Sequence, residues 1–358
     1  MSGAGVIPDG GMPWLDASGP ESAMVLSTRI RLARNLTGQP FRGRNVPEQR
    51  EVIVGAVLAA AHSAPSLADA VLHRLDTMPA ADRHWLNERQ LVSRNLAGTD
   101  TQGRVRSGAA LLLGRTASVM VNEEDHLRLQ VLQSGLAIAA AYRISELADR
   151  ELGVRLSFAF HPEFGYLTAC PTNVGTGLRA SVLIHLPALV MTREIGKVLE
   201  GLMQVGLTSR GLFGEGSEAI GSLFQLSNQT TLGKSEAELL DHLSRMVRQV
   251  MDYELRARDQ VRRDASTALE DSVWRAWAVL RHARALTFDE VVGLLSSVRL
   301  GVTTGILPAI PLQLLNRLLV LTQNAHIARD AGVSLDDDAL PVHRASFVRR
   351  LFEEGERP

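Results

Sequence analysis

The clearest periodic pattern in the chain is an alternation of apolar and polar residues in "VLSTRIRLAR", residues 25–34. Successive side chains of a strand point to opposite faces, so positions 27, 29 and 31 share one face. The other face, at positions 26, 28, 30 and 32, is mostly apolar. The pattern therefore predicts a strand that presents Arg29 and Arg31 away from the core.

A second alternating stretch is "TASVMVNEEDHLRLQVLQ", residues 116–133, whose first part is typical of a buried strand. If the backbone stays extended, the leucines at 127 and 129 face the core and the polar side chains share the opposite face. That polar set is Glu124, His126, Arg128 and Gln130. The alternative is that "NEED" forms a solvated turn and His126 serves only as a hydrogen-bond partner.

Helical and hairpin patterns account for most of the other segments. Helices are predicted from residue 47, over about 134–151, and from Pro187 to Gly206. Residues 161–165 predict a hairpin turn, and "RASVLIHL" predicts a strand. After Ser235 nearly everything has a helical period, so the remaining helices are expected over 235–264, 267–285, 287–300, 310–330 and 342–354.

This order of elements predicts an α+β part that ends near residue 255, followed by a helical part. Residues 1–22 are rich in Gly, Pro and Ser and are expected to form a flexible N-terminal arm. The predicted divisions are 1–22, 23–255 and 256–358.

The composition narrows the class of protein. The chain has 358 residues, is 45% hydrophobic and carries a formal net charge of -1, which is typical of a globular protein and disfavours general nucleic-acid binding. Cys170 is the single cysteine, so no internal disulfide can form and a reducing cytoplasm is expected. The N-terminus lacks the pattern of a signal peptide, and no apolar stretch approaches the length of a membrane span.

The candidate chemistry lies in arginines beside glycine-rich turns and strand ends. Guanidinium groups bind phosphate oxygens in pairs, and glycine lets backbone N–H groups approach them. Five such charges would roughly neutralise a nucleoside triphosphate, although each arginine alone is more often a solvated surface residue. We call the set the arginine cluster: Arg29, Arg31, Arg128, Arg179 and Arg210. No HExxH or paired CxxC occurs, so no protein metal site is predicted, and "LGKS" at 232–235 lacks the first glycine of a P-loop.

Four sequence blocks resemble the signature blocks of the guanidino phosphotransferases, the family of creatine and arginine kinases. They are "VLSTRIRLARN", "VNEEDHLRLQ", "CPTNVGTGLRASV" and "RGLFGEGSEAIGSLFQLSNQTTLGKSE", in the family's order over roughly residues 25–255. Only 24 residues precede Val25, whereas phosphagen kinases carry a helical domain there. The helical C-terminal part, with "LLSSVRLGVTTGILP", is similar to that of the bacterial protein-arginine kinases.

The resemblance implies an antiparallel sheet flanked by helices and a helical C-terminal domain that dimerises. It assigns Glu124 as catalytic base, Glu215 as the second carboxylate on the guanidinium, and Cys170 as a thiol beside the reactive nitrogen. It places ATP, with Mg²⁺, on Ser27, Thr28, Arg29, Ile30, Arg31, Gln90, Arg128, Arg179, Ala180, Ser181, Val182, Leu183, Arg210, Gly211, Leu212, Phe213 and Gly214. The implied partners are arginine-bearing protein substrates in bacterial protein quality control, an activator protein, a Clp-type protease and a second copy of the chain.

Two positions depart from the family pattern. Gln90 stands where the family has a histidine, so a contact to adenine or ribose is expected to differ. The protein kinases also carry a C-terminal "RDxxRA" motif that binds phosphoarginine, and here the segment reads "LPVHRA", residues 340–345. Leu340 and Pro341 offer neither charge, so we expect this binding to be lost or weak, with Arg344 as a single exposed contact. The alternative is a shifted helix register in which Asp336, Asp337 or Asp338 supplies the acid from the preceding turn.

Two other functions fit the same residues. The chain could phosphorylate free arginine or another small guanidine, or it could be a non-catalytic adaptor that binds phosphoarginine. The intact carboxylates and arginine cluster argue against the adaptor.

Overall fold

The computed structural model describes residues 12–99, 103–211, 220–333 and 335–355. Within them an eight-stranded antiparallel sheet has the strand order β2-β3-β4-β5-β1-β8-β10-β9, and β6 and β7 form a separate hairpin. The strands are β1 Val25–Arg34, β2 Val71–Arg74, β3 Ala110–Leu113, β4 Ser118–Val121, β5 Leu127–Ser134, β6 Phe160–His161, β7 Gly165–Tyr166, β8 Leu178–His185, β9 Leu207–Gly211 and β10 Leu223–Asn228.

Helices flank this sheet and make up the C-terminal region, as predicted. Those before residue 235 are α1 Pro47–His62, α2 Ala80–Glu88, α3 Arg94–Ala97, α4 Ile138–Gly153, α5 Pro187–Met191 and α6 Ile195–Gln204. Those after it are α7 Glu236–Asp264, α8 Ser266–His282, α9 Phe288–Thr303, α10 Leu312–Leu321, α11 Asn324–Ala331 and α12 Ala339–Gly355.

Strand β1 lies at the centre of the sheet, between β5 and β8. Its apolar face is fully buried at Ile30 and Leu32, while Arg29 and Arg31 remain partly exposed on the other face. The predicted strand and the direction of its two arginines are therefore confirmed.

The stretch 116–133 does not stay extended, so the prediction of one shared polar face is wrong for His126, although Glu124 and Arg128 still line the same surface. Strands β4 and β5 form an antiparallel pair, and the backbone turns between them at Asn122, whose φ is 56° and whose N–H donates to the carbonyl of His126 at 2.9 Å. His126 is buried, and its Nδ1 accepts a hydrogen bond from the backbone N–H of Leu36 at 2.9 Å. The "NEED" segment is a turn, but a mostly buried one.

Two predicted helices are each divided in two. The segment from Pro187 to Gly206 breaks between α5 and α6, near Arg193 with φ of 60°. The segment 310–330 breaks between α10 and α11, at residues 322–323. The predicted long helix is confirmed as α7, where Ser235 Oγ accepts from the Glu238 amide and Glu238 accepts from the Ser235 amide.

The described part of the expected N-terminal arm, residues 12–22, is packed against the fold. Trp14 and Leu15 are buried beside Val320 of α10. Arg299 of α9 donates to the carbonyl of Ser22 at 2.5 Å, which fixes the chain before β1. One hydrophobic core extends from the sheet into helices α7, α8, α9, α10 and α12, and the predicted division at residue 255 falls inside α7. Among the described residues, no helix combines the length and apolar character needed to cross a membrane.

Candidate active site

One face of the sheet forms the floor of an open cleft of about 1010 Å³. All members of the arginine cluster line it, together with Gln90, Glu123, Glu124 and Cys170. Residues that are far apart in the sequence thus meet on one surface.

The pairing of the strands explains why the arginines converge. Arg31 on β1 lies directly opposite Arg179 on β8, and Ala33 on β1 lies opposite Arg128 on β5. Arg210 on β9 lies opposite Gln225 on β10. Because side chains alternate along each strand, these positions place the guanidinium groups of β5, β1, β8 and β9 on one face of the sheet.

Because of the same alternation, several side chains of the predicted nucleotide site face the core instead of the cleft. The side chains of Thr28, Ile30, Ala180 and Val182 are buried on the opposite face, and Thr28 Oγ1 donates to the carbonyl of Gly135 at 2.7 Å. Ser27, Ser181 and Leu183 line a small cavity that adjoins the cleft at Arg29 and Gln90. Four predicted residues, Leu212, Phe213, Gly214 and Glu215, lie outside the described residues, and Gly211 ends β9.

The cleft is electrostatically arranged for an anion. Burial, followed by repulsion from the other members of the arginine cluster, lowers the pKa of Arg29 to about 10. The same two causes lower the pKa of Arg31, with Glu123 opposing them. Among the described residues, the buried Nε atoms of Arg29 and Arg31 have no hydrogen-bond partner. A polyanion would supply both the missing acceptors and the missing negative charge.

Gln90 holds one of these arginines in place. Arg29 Nη1 donates to Gln90 Oε1 at 3.0 Å, and Gln130 Nε2 donates to the Gln90 carbonyl at 2.7 Å. The backbone of Gln90 adopts φ of 63°, an uncommon value for a residue with a side chain. The residue implied to contact the nucleoside thus also orients a cluster arginine.

Two carboxylates of the β4–β5 turn grip Arg128 together. Glu123 Oε2 lies 3.0 Å from Arg128 Nη1, and Glu124 Oε2 lies 3.0 Å from Arg128 Nη2. Burial opposes ionisation of Glu123, yet Arg128 and the Glu124 amide lower the pKa of its carboxyl. The Glu124 side chain is 34% exposed and lines the cleft, so it is the member of the pair that a substrate can reach.

Asp125, the third acidic residue of the turn, connects it to the cysteine loop, residues 170–177. Its Oδ1 accepts from Asn35 Nδ2 at 2.7 Å and from the Ala169 amide at 2.6 Å. Asp125 is fully buried, and burial raises the pKa of its carboxyl. It therefore fixes Glu124 relative to Cys170. From the sequence, neither Glu123 nor Asp125 was assigned a role. The only indication in the sequence was that both are acidic residues next to Glu124 in "NEED".

Cys170 lies at the start of the cysteine loop and is partly exposed to the cleft. Its Sγ is 3.0 Å from Thr172 Oγ1. The loop lies close to β1 at Gly177, whose φ is +63°. A Cβ added there would lie only 2.6 Å from the carbonyl oxygen of Ala33. Arg34 Nη1 also donates to the Thr176 carbonyl at 2.9 Å. The thiol is thus presented on a fixed loop.

The expectation that Arg344 is a single exposed contact for phosphoarginine is wrong. Arg344 is 2% exposed, and its guanidinium donates to the carbonyls of Thr322 and Leu286 and to Asn324 Oδ1, at 2.7, 2.9 and 2.6 Å. These contacts tie α12 to α11 and to the segment before α9. Arg344 therefore has a structural role in this chain.

The described residues contain no group of three or more His, Cys, Asp or Glu side chains that could hold a metal ion.

Comparison with known proteins agrees with this arrangement. Residues 53–257 match the model of the ATP:guanido phosphotransferase C-terminal catalytic domain, and residues 266–358 match the protein-arginine kinase McsB C-terminal domain. The protein-arginine kinase of Moorella thermoacetica is 45% identical over 95% of this chain and 97% of its own length. That of Symbiobacterium thermophilum is 44% identical over 94% of this chain and 95% of its own.

Solved structures of guanidino kinases share the fold. The duplicated taurocyamine kinase of Schistosoma mansoni, with transition-state analogue components bound, gives a TM-score of 0.59 at 28% identity, over 70% of this chain and 36% of that longer one. A lombricine kinase gives a TM-score of 0.57 at 25% identity, over 67% of this chain and 70% of its own. With family matches over residues 53–257 and 266–358 and relatives that cover about 95% of the chain, the chain belongs to the ATP:guanido phosphotransferase family, in the branch of the protein-arginine kinases.

Proposed function

We propose that the cleft binds ATP on the arginine cluster and transfers its γ-phosphoryl group to the guanidinium of arginine side chains in proteins. One observation carries the proposal above all others. The arginine cluster, the reachable carboxylate of Glu124 and the thiol of Cys170 line the same cleft. Phosphate binding, proton removal and guanidinium contact are thus available at one place.

The residues fit a nucleoside triphosphate bound with Mg²⁺. The arginine cluster suits the phosphate chain, because the buried Nε atoms of Arg29 and Arg31 have no acceptor among the described residues. Gln90 and Ser181 border the small cavity that adjoins the cleft. Mg²⁺ on the phosphates supplies further neutralisation of the charge that develops during transfer. The resemblance suggests the same ligands.

The chemical difficulty lies in the acceptor, because a protonated guanidinium has no free lone pair. Because its pKa lies far above 7, it is neutral in only roughly one molecule in a million at pH 7, a penalty of about 8 kcal/mol. Glu124 is placed to accept the proton as the new N–P bond forms and the bond between the γ-phosphorus and the bridging oxygen of ADP breaks. Arg128 orients the Glu124 carboxylate until then. Glu215 as a second carboxylate on the guanidinium remains part of the proposal.

The runner-up substrate is free arginine or another small guanidine. The matching relatives are named protein-arginine kinases, which favours an arginine within a polypeptide. A homodimer, an activator protein and a Clp-type protease belong to the same proposal and rest on the resemblance, and a cytoplasmic location rests on the single cysteine.

The test is phosphorylation by the full chain with γ-labelled ATP and either a protein extract or free arginine. We expect acid-labile label on protein, because N–P bonds hydrolyse in acid, and little on free arginine. The Glu124→Gln variant is the control that should give none. Equal labelling of free arginine would favour the runner-up, and the absence of label from both would favour the adaptor.

A further inference from the structure

A second groove, of about 440 Å³, lies on the other side of the cysteine loop from the cleft. Its walls are the β6–β7 hairpin, residues 160–166, and the segment 231–238 that leads into α7. Neither wall has been assigned a role in the proposed reaction. We call it the hairpin groove.

The hairpin groove exposes large apolar side chains side by side. Phe160 is 58% exposed, Phe164 44% and Leu232 53%, and all three line it. Clustered apolar exposure of this kind marks a binding surface more often than chance, whereas single exposed residues need no explanation. The hairpin groove is therefore a candidate for contact with another molecule.

The hairpin is held in place and does not depend on a partner for its shape. Tyr166 donates from its backbone N–H to the Gly175 carbonyl at 2.7 Å and accepts from the Gly175 amide at 3.2 Å. The Arg34 guanidinium lies 3.5 Å from the centre of the Tyr166 ring, and the Phe160 ring packs edge-on against it at 5.3 Å. A preformed surface of this kind loses little conformational entropy on binding.

The rim of the hairpin groove is acidic. Of the described residues that line it, Glu163, Glu236 and Glu238 are acidic and Lys234 is basic. The negative charge of Glu236 also acts on Tyr142. Burial, followed by the carboxylates of Glu236 and Glu146, raises the pKa of the Tyr142 phenol to about 12. The surface thus complements a partner that has both apolar and basic side chains.

The hairpin groove and the cleft share one wall. Cys170, Thr172 and Gly177 of the cysteine loop line the cleft, and Gly175 and Thr176 line the hairpin groove. Thr231 fixes the loop between them, because its hydroxyl lies 2.6 Å from the Val174 carbonyl and 2.8 Å from the Thr172 carbonyl. A chain that crosses this loop can occupy both.

We propose that the hairpin groove docks an extended segment of the protein substrate, a short distance along the chain from the arginine that enters the cleft. The segment contributes an apolar side chain to Phe160, Phe164 and Leu232 and a basic one to the glutamate rim. The inference rests on the proposed function and deepens it, because it explains how a polypeptide is chosen over a free guanidine. An extended chain covers about 3.3 Å per residue, so a peptide that extends roughly six residues on each side of its arginine is long enough to test it.

The experiment compares three acceptors with wild-type and variant full-length protein. The acceptors are N-acetylarginine amide, a 13-residue peptide with a central arginine, one phenylalanine and two lysines, and the same peptide with serine in place of phenylalanine. The variant is Phe164→Ser with Leu232→Ser. Val52→Ser, at an exposed valine on α1, is the matched control.

We expect wild type to favour the phenylalanine peptide by tenfold or more in kcat/KM, mainly through KM. The double variant should lose that advantage while its kcat/KM for N-acetylarginine amide and its KM for ATP stay within twofold. Glu163→Gln with Glu236→Gln should weaken the peptide's advantage in the same way, and less so at high salt. A non-phosphorylatable peptide with citrulline for arginine should inhibit peptide phosphorylation competitively in wild type.

Each contrary outcome has a distinct meaning. If the double variant keeps the full peptide preference, the docking proposal is overturned and the proposed function stands. If light scattering shows that the double variant has lost a wild-type dimer while peptide kinetics are unchanged, the groove joins two copies of the chain and the docking proposal is wrong. If wild type phosphorylates none of the three acceptors, the proposed function fails and the docking proposal fails with it.

Discussion

Arg29 donates a hydrogen bond from Nη1 to the side-chain oxygen of Gln90 at 3.0 Å. Two residues earlier, Glu88 accepts hydrogen bonds from the backbone N–H groups of Ala325 and His326 at 2.8 and 3.0 Å, at the beginning of α11. The His326 ring also stacks on Trp85, with centroids 5.6 Å apart. Glu88 thus stabilises the N-terminus of α11. Gln90, two residues later, orients Arg29.

The first prediction concerns this link. Gln90→Ala should raise the KM for ATP severalfold, because Arg29 loses the neutral acceptor that holds it. Glu88→Gln should have a smaller effect of the same kind, since it acts only through residues 88–90. Steady-state kinetics of both variants and of the double variant measure the coupling. Purely additive effects would contradict the link.

Glu124→Gln should reduce phosphoryl transfer by at least a thousandfold while the Kd for ATP stays within a few-fold. The amide keeps the size of the side chain but cannot take the proton from the guanidinium. Glu146→Gln, on an exposed position of α4, is the control. Single-turnover rates and ATP binding by calorimetry are the measurements, and substantial turnover in Glu124→Gln would remove Glu124 from the base role.

Arg31→Met should stabilise the protein without nucleotide and weaken ATP binding. The arginine cluster is repulsive, and the buried Arg31 Nε lacks an acceptor among the described residues, so removing this charge relieves both costs. We expect a rise in Tm of about 1–2 °C, as for about 1 kcal/mol in a chain of 358 residues, and a tenfold or greater rise in the Kd for ATP. Thermal unfolding with and without ATP tests both signs, and a lower Tm without nucleotide contradicts the argument.

Cys170 should react readily with an alkylating reagent, and bound ATP plus an arginine peptide should slow the reaction several-fold. The thiol is partly exposed in the cleft, next to the place proposed for the guanidinium. As the chain has one cysteine, total alkylation measured by mass spectrometry reports on this site alone. A rate that does not respond to ligands would mean that Cys170 lies away from the substrate.

Arg344→Ala should destabilise the protein by about 2–4 kcal/mol, because three buried acceptors lose their donor. Phosphoarginine added to the wild-type chain should leave kcat/KM within twofold, since Leu340 and Pro341 carry no charge and Arg344 is already satisfied by protein atoms. Urea unfolding and initial rates are the measurements. Activation by micromolar phosphoarginine would show that another pocket has taken over.

The sequence predicted what depends on local periodicity and missed what depends on turns and distant partners. The alternation at β1 reports burial of one face directly, so the strand and its arginines were predictable. The same alternation continued by coincidence through residues 122–126, where Asn122 turns the backbone without a glycine or proline to mark it. Gln90 and Arg193 likewise adopt positive φ without a marking residue. The roles of Glu123 and Asp125 depend on Arg128, Asn35 and Ala169, which only the folded chain brings near.

An ion pair inside helix α7 limits where the chain can be divided into a catalytic and a C-terminal part. Glu254 and Arg258 form a buried ion pair at 2.8 Å on either side of residue 255. Glu254 accepts from the Ala188 and Leu189 amides at the beginning of α5, and Arg258 donates to Thr303 Oγ1 at the end of α9. A cut or a fusion point between them would leave an unpaired charge in each half. A junction between the catalytic part and the C-terminal helices would therefore have to lie outside residues 254–258, with both members of the ion pair on the same side of it.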